Sequence, residues 1–191
     1  MNKIFSILIL ITTTLMAQNN LKYMDESKFD YWDLRVFVGV DGGYNYNWAN
    51  ENLDDIVSST SKYIGIPIYN VELILKDKLS RAKQYDIDSQ SITINIPYDG
   101  TFAKQRYFGL VYGKGEMKYN NKAIDKYAIN KKINNGSYYG FHFGQRNKKT
   151  RDLFFRYELE FLTYDMKAKT ATGAVELNYS VEFLIGIEYR F

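Results

Sequence analysis

The carboxyl-terminal stretch of the chain alternates between oily and polar side chains. Val175, Leu177, Tyr179, Val181, Phe183, Ile185, Ile187, Tyr189 and Phe191 fall on odd positions, with Glu176, Asn178, Ser180, Glu182, Leu184, Gly186, Glu188 and Arg190 between them. A helix would scatter the two groups around its axis, whereas a strand puts them on opposite faces. The pattern therefore predicts a strand running to the last residue. From Tyr179 to Tyr189 is ten steps, about 33 Å at about 3.3 Å per residue. Tilted by about 40°, it projects to about 25 Å, the height of the apolar band on a transmembrane barrel. Two aromatic girdles would then be correctly spaced, and the residues upward to Val175 would project past the membrane on the outer side.

The alternation recurs. Leu34, Val36, Val38, Val40, Tyr44 and Tyr46 form one face, with Arg35, Phe37, Gly39 and Asp41 opposite. Leu153, Phe155, Tyr157, Leu159 and Phe161 alternate with Phe154, Arg156, Glu158, Glu160 and Leu162, and Tyr139, Phe141 and Phe143 with Tyr138, Gly140, His142 and Gly144. The segment from Lys104 to Lys118 is strand-like, with either Phe108, Leu110 and Tyr112 or Tyr107 and Val111 facing outward. Barrels of this kind place long loops outside and short turns in the periplasm, and termini on one side require an even strand count. Outer loops are expected at 47–61, 119–135 and 165–172, and a periplasmic turn at Asn147–Thr150. Four strands then remain between Lys62 and Lys118, divided as 62–69, 71–84, 90–98 and 103–118 with a turn at Asp99–Gly100. Pro67 fits a closed sheet poorly unless a bulge accommodates it. The expected fold is all-β: a closed antiparallel up-and-down transmembrane barrel of eight strands over 34–191.

The opposite end of the chain reads as an export signal. Met1, Asn2 and Lys3 form a positive start, Ile4 to Met16 is mostly apolar, and Ala17 offers a cleavage site before Gln18. Thirteen apolar residues are too few for a spanning helix, which needs about 20, and no longer apolar run follows. Cleavage removes Lys3 and lowers the net charge from +3 to +2. Residues 18–33 read as a periplasmic lead, closing on Tyr31 and Trp32 as an interfacial anchor. Eighteen Tyr and 12 Phe against 2 Pro suit strands rather than a helical bundle. So small a charge, without a basic stripe, argues against a nucleic-acid partner. The absence of Cys excludes disulfides, thiolate metal sites and a lipidated amino-terminal Cys, and a lone His142 excludes a His-pair site.

A final alternating strand with Tyr189 and a terminal Phe191, paired with an export signal at the other end, resembles the assembly signature of bacterial outer-membrane β-barrels. In length the chain is similar to the small eight-stranded members, the OmpA transmembrane, OmpX and opacity-protein type. That resemblance implies residence in the outer membrane of a Gram-negative cell and contact with lipid and lipopolysaccharide. It also implies insertion by the barrel assembly machinery through the Tyr189 and Phe191 strand, and a monomer, with no cofactor.

If the apolar faces meet lipid, then Arg35, Asp41, Arg156, Glu158, Glu160, Glu182, Glu188 and Arg190 face the lumen. Eight strands enclose a space that side chains nearly fill, and buried charges persist only when paired. Arg35, Arg156 and Arg190 are therefore expected to bond these carboxylates, making a structural plug. No phosphate-binding or dinucleotide motif is present. Asp86 and Asp88 lack the Gly and distant Glu of a calcium loop and read as a polar hairpin tip. His142 raises a lipid A-modifying enzyme as an alternative, but no Ser adjoins it and Ser137 is five residues away. A lumen histidine bonded to a Tyr or Glu is the preferred reading, and no catalytic, cofactor-binding or metal residue is assigned. A soluble periplasmic ligand-binding barrel with an apolar interior is the other alternative. Lys122, Lys126, Lys131 and Lys132 in the 119–135 loop are solvated by default and could attract lipopolysaccharide phosphates.

Overall fold

A computed structural model describes residues 35–50, 53, 56–68, 71–101, 103–170 and 173–191, with side chains omitted at 99–101. The export signal at 1–17 and the lead at 18–33 lie outside the described residues. Eight strands run in chain order: β1 (Phe37–Ala49), β2 (Ile56–Ile68), β3 (Val71–Arg81), β4 (Tyr85–Thr101), β5 (Lys104–Tyr119), β6 (Ile133–Lys148), β7 (Leu153–Lys169) and β8 (Ala174–Arg190). A short helix, α1 (Asn121–Tyr127), lies between β5 and β6. Each strand pairs antiparallel with the next, and β1 closes on β8, so the sheet has no free edge.

The register fixes the barrel's tilt. The row from Val38 passes through Ile64, Leu75, Ile92, Tyr112, Tyr139, Thr163 and Tyr179 and returns to β1 at Trp48, ten residues beyond its start. With about 3.3 Å per residue and about 4.7 Å between strands, that stagger corresponds to a tilt of about 41°, within the range of membrane barrels. Alternation then lays an apolar surface outside. Val40, Tyr44, Ile92, Ile94, Leu110, Tyr112, Phe141, Phe143, Phe183, Ile185 and Ile187 are all exposed. Between Lys104 and Lys118 the choice resolves to Phe108, Leu110 and Tyr112 outward, with Tyr107 and Val111 buried.

Several expected boundaries move. The barrel starts at Phe37 rather than Leu34, which is not among the described residues. Arg35 stays outside the lumen, donating to Asp152 and to the Arg151 carbonyl. Strand β1 runs to Ala49 and β2 begins at Ile56, so strands take up both ends of the expected 47–61 loop, because Val57, Ser59 and Ser61 continue an inward-facing series. Strand β4 begins at Tyr85, which puts Asp86 and Asp88 on its outer face rather than at a hairpin tip. Asp99 and Gly100 pair with Arg106 and Gln105 rather than turning, and the pairing runs on to Thr101 and Lys104 after a bulge beside Pro97. Pro67 sits at the periplasmic end of β2, opposite Glu72. A second bulge, between Leu177 and Tyr179, reverses β8, so Val175 and Leu177 point inward while Tyr179 to Tyr189 point out. Strand β7 runs to Lys169 and so takes up most of the expected 165–172 loop, and the expected 119–135 loop contains α1.

Candidate functional site

Strand parity brings six carboxylates into the lumen, Asp41, Glu72, Glu158, Glu160, Glu182 and Glu188, together with Lys76, Lys78, Arg146, Arg156 and Arg190, all buried. They form two linked clusters. Toward the periplasm, Glu72 accepts from Arg146 at 2.8 and 2.6 Å and from Arg190 at 2.9 Å, and Glu188 accepts from the Nε of both arginines at 2.9 Å. Aromatic rings wall this cluster: the Arg146 guanidinium lies 5.1 Å from the Phe37 ring centre and 4.5 Å from that of Tyr107, favourable cation–π distances. Further toward the outer side, Lys76 donates to Glu160 at 2.8 Å and lies 3.6 Å from Asp41 and 3.7 Å from Glu158. Lys78 bridges Glu160 and Glu182, and Ser59 also donates to Glu182.

Sequence reading found Asp41, Arg156, Glu158, Glu160, Glu182, Glu188 and Arg190 for this interior, and Arg156 and Arg190 do bond carboxylates there, with Glu158 and Glu188 as the partners. Arg35 does not join them. It missed Glu72, Lys76, Lys78 and Arg146. The signal for the first three was present: Glu72, Ile74, Lys76, Lys78 and Ser80 alternate with Val71, Leu73, Leu75, Asp77 and Leu79, which places these charges opposite a face that is oily except at Asp77.

His142 stands between the clusters. Its Nδ1 is 2.6 Å from Glu158, its Nε2 is 2.7 Å from the Asn95 side-chain oxygen, and its ring meets that of Tyr107 edge-on with centroids 5.7 Å apart. Asn95 Nδ2 lies 3.4 Å from Glu72, which leaves the Asn95 oxygen to face the imidazole. Both ring nitrogens thus face side-chain oxygens, which fix the orientation of the imidazole. The ring lies directly over Gly109, where a Cβ would come within 2.0 Å of Nε2. His142 is fully buried, and Ser137 lies on the outward-facing parity of the same strand. The geometry of a hydroxyl activated by a histidine is therefore not built with Ser137. Donor atoms of His142, Glu158 and Glu160 fall within 4.8 Å of one another. Lys76 and Arg156 already supply positive charge at this spot, 2.8 Å from Glu160 and in contact with Glu158. A divalent ion would have to displace them.

Above the ionic layers the lumen turns apolar. Val57, Tyr85, Ile87, Met117, Tyr119, Tyr138, Leu162, Tyr164, Met166, Val175 and Leu177 pack together, and Ala123 of α1 is buried on top of them. Asn120 caps the helix by accepting from the Ala123 N–H at 3.0 Å, and Ala128, in the left-handed region at φ 50°, ends it. The helical loop is tied to both neighbouring connections: the Asn120 N–H donates to the Gln84 carbonyl and the Asn130 N–H to the Lys169 carbonyl.

No protein-family model matches the sequence, and no curated protein matches it. Among solved structures, the chain is similar to Neisserial surface protein A, with a TM-score of 0.66 at 13% identity over 82% of this chain and 97% of that one. It is also similar to the amino-terminal barrel domain of Pseudomonas aeruginosa OprF, at TM-score 0.49, 11% identity, 80% of this chain and 97% of that one. A major outer-membrane protein of Thermus thermophilus gives TM-score 0.49 at 10% identity, covering 82% and 99%. The fold is that of the small eight-stranded outer-membrane barrels.

The exterior of this barrel is compatible with hydrocarbon and not with water. A belt of exposed Phe, Tyr, Ile, Leu and Val encircling β5–β8 and β1 far exceeds the scattered apolar residues of a soluble surface. The ligand-binding alternative required the reverse arrangement, an apolar cavity and a polar wall. Here the buried carboxylates at membrane level point inward. Lys122, Lys126, Lys131 and Lys132 are exposed on α1 and the segment after it, beyond the outer end of the belt. Asp86 and Asp88 project from β4 at the same outer end, and Asp88 lies 3.7 Å from Lys118.

Proposed function

We propose that the protein is a non-enzymatic barrel of the outer membrane with a closed lumen, acting in the envelope or at the cell surface through its outer connections. One observation carries this reading. Charged side chains paired across the lumen, roofed by an apolar layer and α1, occupy the space that a channel would leave to water. His142, held by Glu158 and Asn95, serves that packing rather than chemistry. The exposed lysines of the α1 loop give the outer surface a local positive charge suited to lipopolysaccharide phosphates. Tyr189 and Phe191, edge to face with ring centres 5.2 Å apart at the periplasmic end of β8, suit docking to the barrel assembly machinery.

Conductance tests the closed lumen. Reconstituted into a planar bilayer, the folded protein should give no sustained open channel, and stable conductance of the unaltered protein refutes the reading. Residence is checked in the same preparation: the protein should stay in membranes after urea washing and migrate differently on a gel before and after boiling. Deleting Phe191 should lower the amount assembled in cells, and replacing all four lysines should weaken binding to lipopolysaccharide.

A further inference from the structure

The apolar belt is not uniform around the wall. Each strand crossed along a hydrogen-bonded row rises about 3 Å at a tilt of about 41°, so heights can be compared between strands. From Val38, Trp48 stands about 25 Å higher, spanning the hydrocarbon. On β8 the outward side chains are oily along the whole distance from Tyr189 to Tyr179. On β2 Ile68, Ile66 and Ile64 are oily at the periplasmic end and Ile56 at the outer end, and the outward positions between them are Lys62, Thr60 and Ser58, all exposed. Lys62, Asp77 and Gln90 are successive members of one register row. They stand about 8, 11 and 14 Å above Val38. At those heights the opposite wall presents Ile185, Phe183 and Phe141. Lys62 is 72% exposed at its side chain and Asp77 37%, with 3.7 Å between nitrogen and oxygen. A charge facing lipid at mid-depth is strongly unfavourable and, within membranes, marks a surface that meets something other than acyl chains.

We propose that this polar window on β2, β3 and β4 is the contact face between two copies of the chain. The charges decide in favour of a second copy. A two-fold contact brings the same patch against itself, so it must be self-complementary. Lys62 and Asp77 are adjacent and opposite in sign, so a two-fold axis along the membrane normal sets Lys62 of each copy against Asp77 of the other. Thr60, Ser58 and Gln90 add small or amide side chains of the kind that hydrogen-bond across spans in lipid. Dimerisation removes the window from acyl chains and leaves the oily β6–β8 wall outside. This departs from the single copy that resemblance implied.

The chain has no cysteine, so single cysteines report without background. In native membranes, Thr60→Cys should cross-link on oxidation to a species of twice the mass, and Ile185→Cys, on the opposite wall, should not. In the Thr60→Cys background, Asp77→Lys gives each copy two positive charges in the window and Lys62→Asp gives two negative ones. Each alone should lose the cross-link. Co-expressed with different tags, the two should recover a mixed dimer, which separates attraction between copies from the ion pair within one. Heat-shifted gel mobility establishes that every variant folds. Equal cross-linking from Ile185→Cys, or charge reversals without effect, overturns the proposal. So does a Thr60→Cys protein that never cross-links but reacts with a membrane-impermeant maleimide, the outcome expected if lipid headgroups dip to cover the window.

Discussion

Glu72 is the keystone of the periplasmic ionic cluster, and its removal tests the account of the lumen most directly. Its carboxylate accepts three hydrogen bonds of 2.6–2.9 Å from Arg146 and Arg190, and it and both arginines are buried away from water. Glu72→Ala leaves two guanidinium groups sharing Glu188 alone. Breaking a buried pair by deleting one partner costs about 3–5 kcal/mol, because the surviving charge is left uncompensated. With a slope of about 2 kcal/mol per molar urea, the unfolding midpoint should fall by about 2 M. Urea titration in lipid vesicles, followed by the heat-dependent gel shift, reads this directly. The decisive comparison is Glu72→Met with Arg146→Met, which removes one charge of each sign and leaves Arg190 paired to Glu188. That double variant should recover most of the loss, so the cycle should show a coupling of about 2 kcal/mol or more. A Glu72→Ala barrel within about 1 kcal/mol of the parent, or single effects that simply add, refutes the claim that these charges act as one network.

Three further outcomes are expected. Gly109→Ala places a Cβ 2.0 Å from His142 Nε2 and 2.5 Å from the Asn95 oxygen, so thermal or urea unfolding should register a loss of about 1–3 kcal/mol from overpacking. Ala123→Asp puts a carboxylate into the apolar roof; trypsin should then cut within residues 120–132 far faster, while the gel shift of the barrel persists. His142→Ala should leave lipid A acylation in the host unchanged while lowering stability, and altered lipid A would revive the enzyme reading.

The strands that were legible in the sequence are those whose outer face is wholly oily. Strand β8 from Tyr179 to Tyr189 and β7 from Leu153 to Phe161 meet lipid on one side and charges on the other, so period two stands out. Strand β2 was hidden for the same reason that it is interesting. With Ser58, Thr60 and Lys62 outward and Ser59 and Ser61 inward, both faces are polar and the stretch reads as loop. On β5 the obstacle was the opposite one, aromatic residues on both faces: Tyr107 points inward because its ring covers Gly144, where a Cβ would come within 2.1 Å of it. Arg146 lay too near an expected turn to be assigned a face. The seven residues of α1 are too few to establish a helical period, and its place over the lumen depends on Ala123 and Ile129 meeting side chains from distant strands. The ionic pairs are legible only as a requirement, since which carboxylate meets which arginine depends on the stagger of the closed sheet.

That stagger and the β8 bulge together explain why the interior changes character along its axis. Below the bulge, oily side chains face out and charges face in, because hydrocarbon surrounds the wall. Above it the order reverses: Asp165, Lys167, Glu116 and Asp88 are exposed while Met166, Ala168, Met117 and Ile87 are buried, as in a water-soluble sheet. On β7 the inward positions keep one parity throughout and only their chemistry changes, from Glu158 and Glu160 to Leu162, Tyr164 and Met166. On β8 the oily residues occupy odd positions on both sides of the boundary, so a register shift at Asn178, one residue more than β1 and one fewer than β7, is needed to turn Val175 and Leu177 inward. Without it those two would face water and Glu176 and Asn178 would enter the apolar roof. The bulge thus lets one unbroken alternation in sequence serve two solvents, which is why a purely periodic reading placed Val175 and Leu177 on the wrong face.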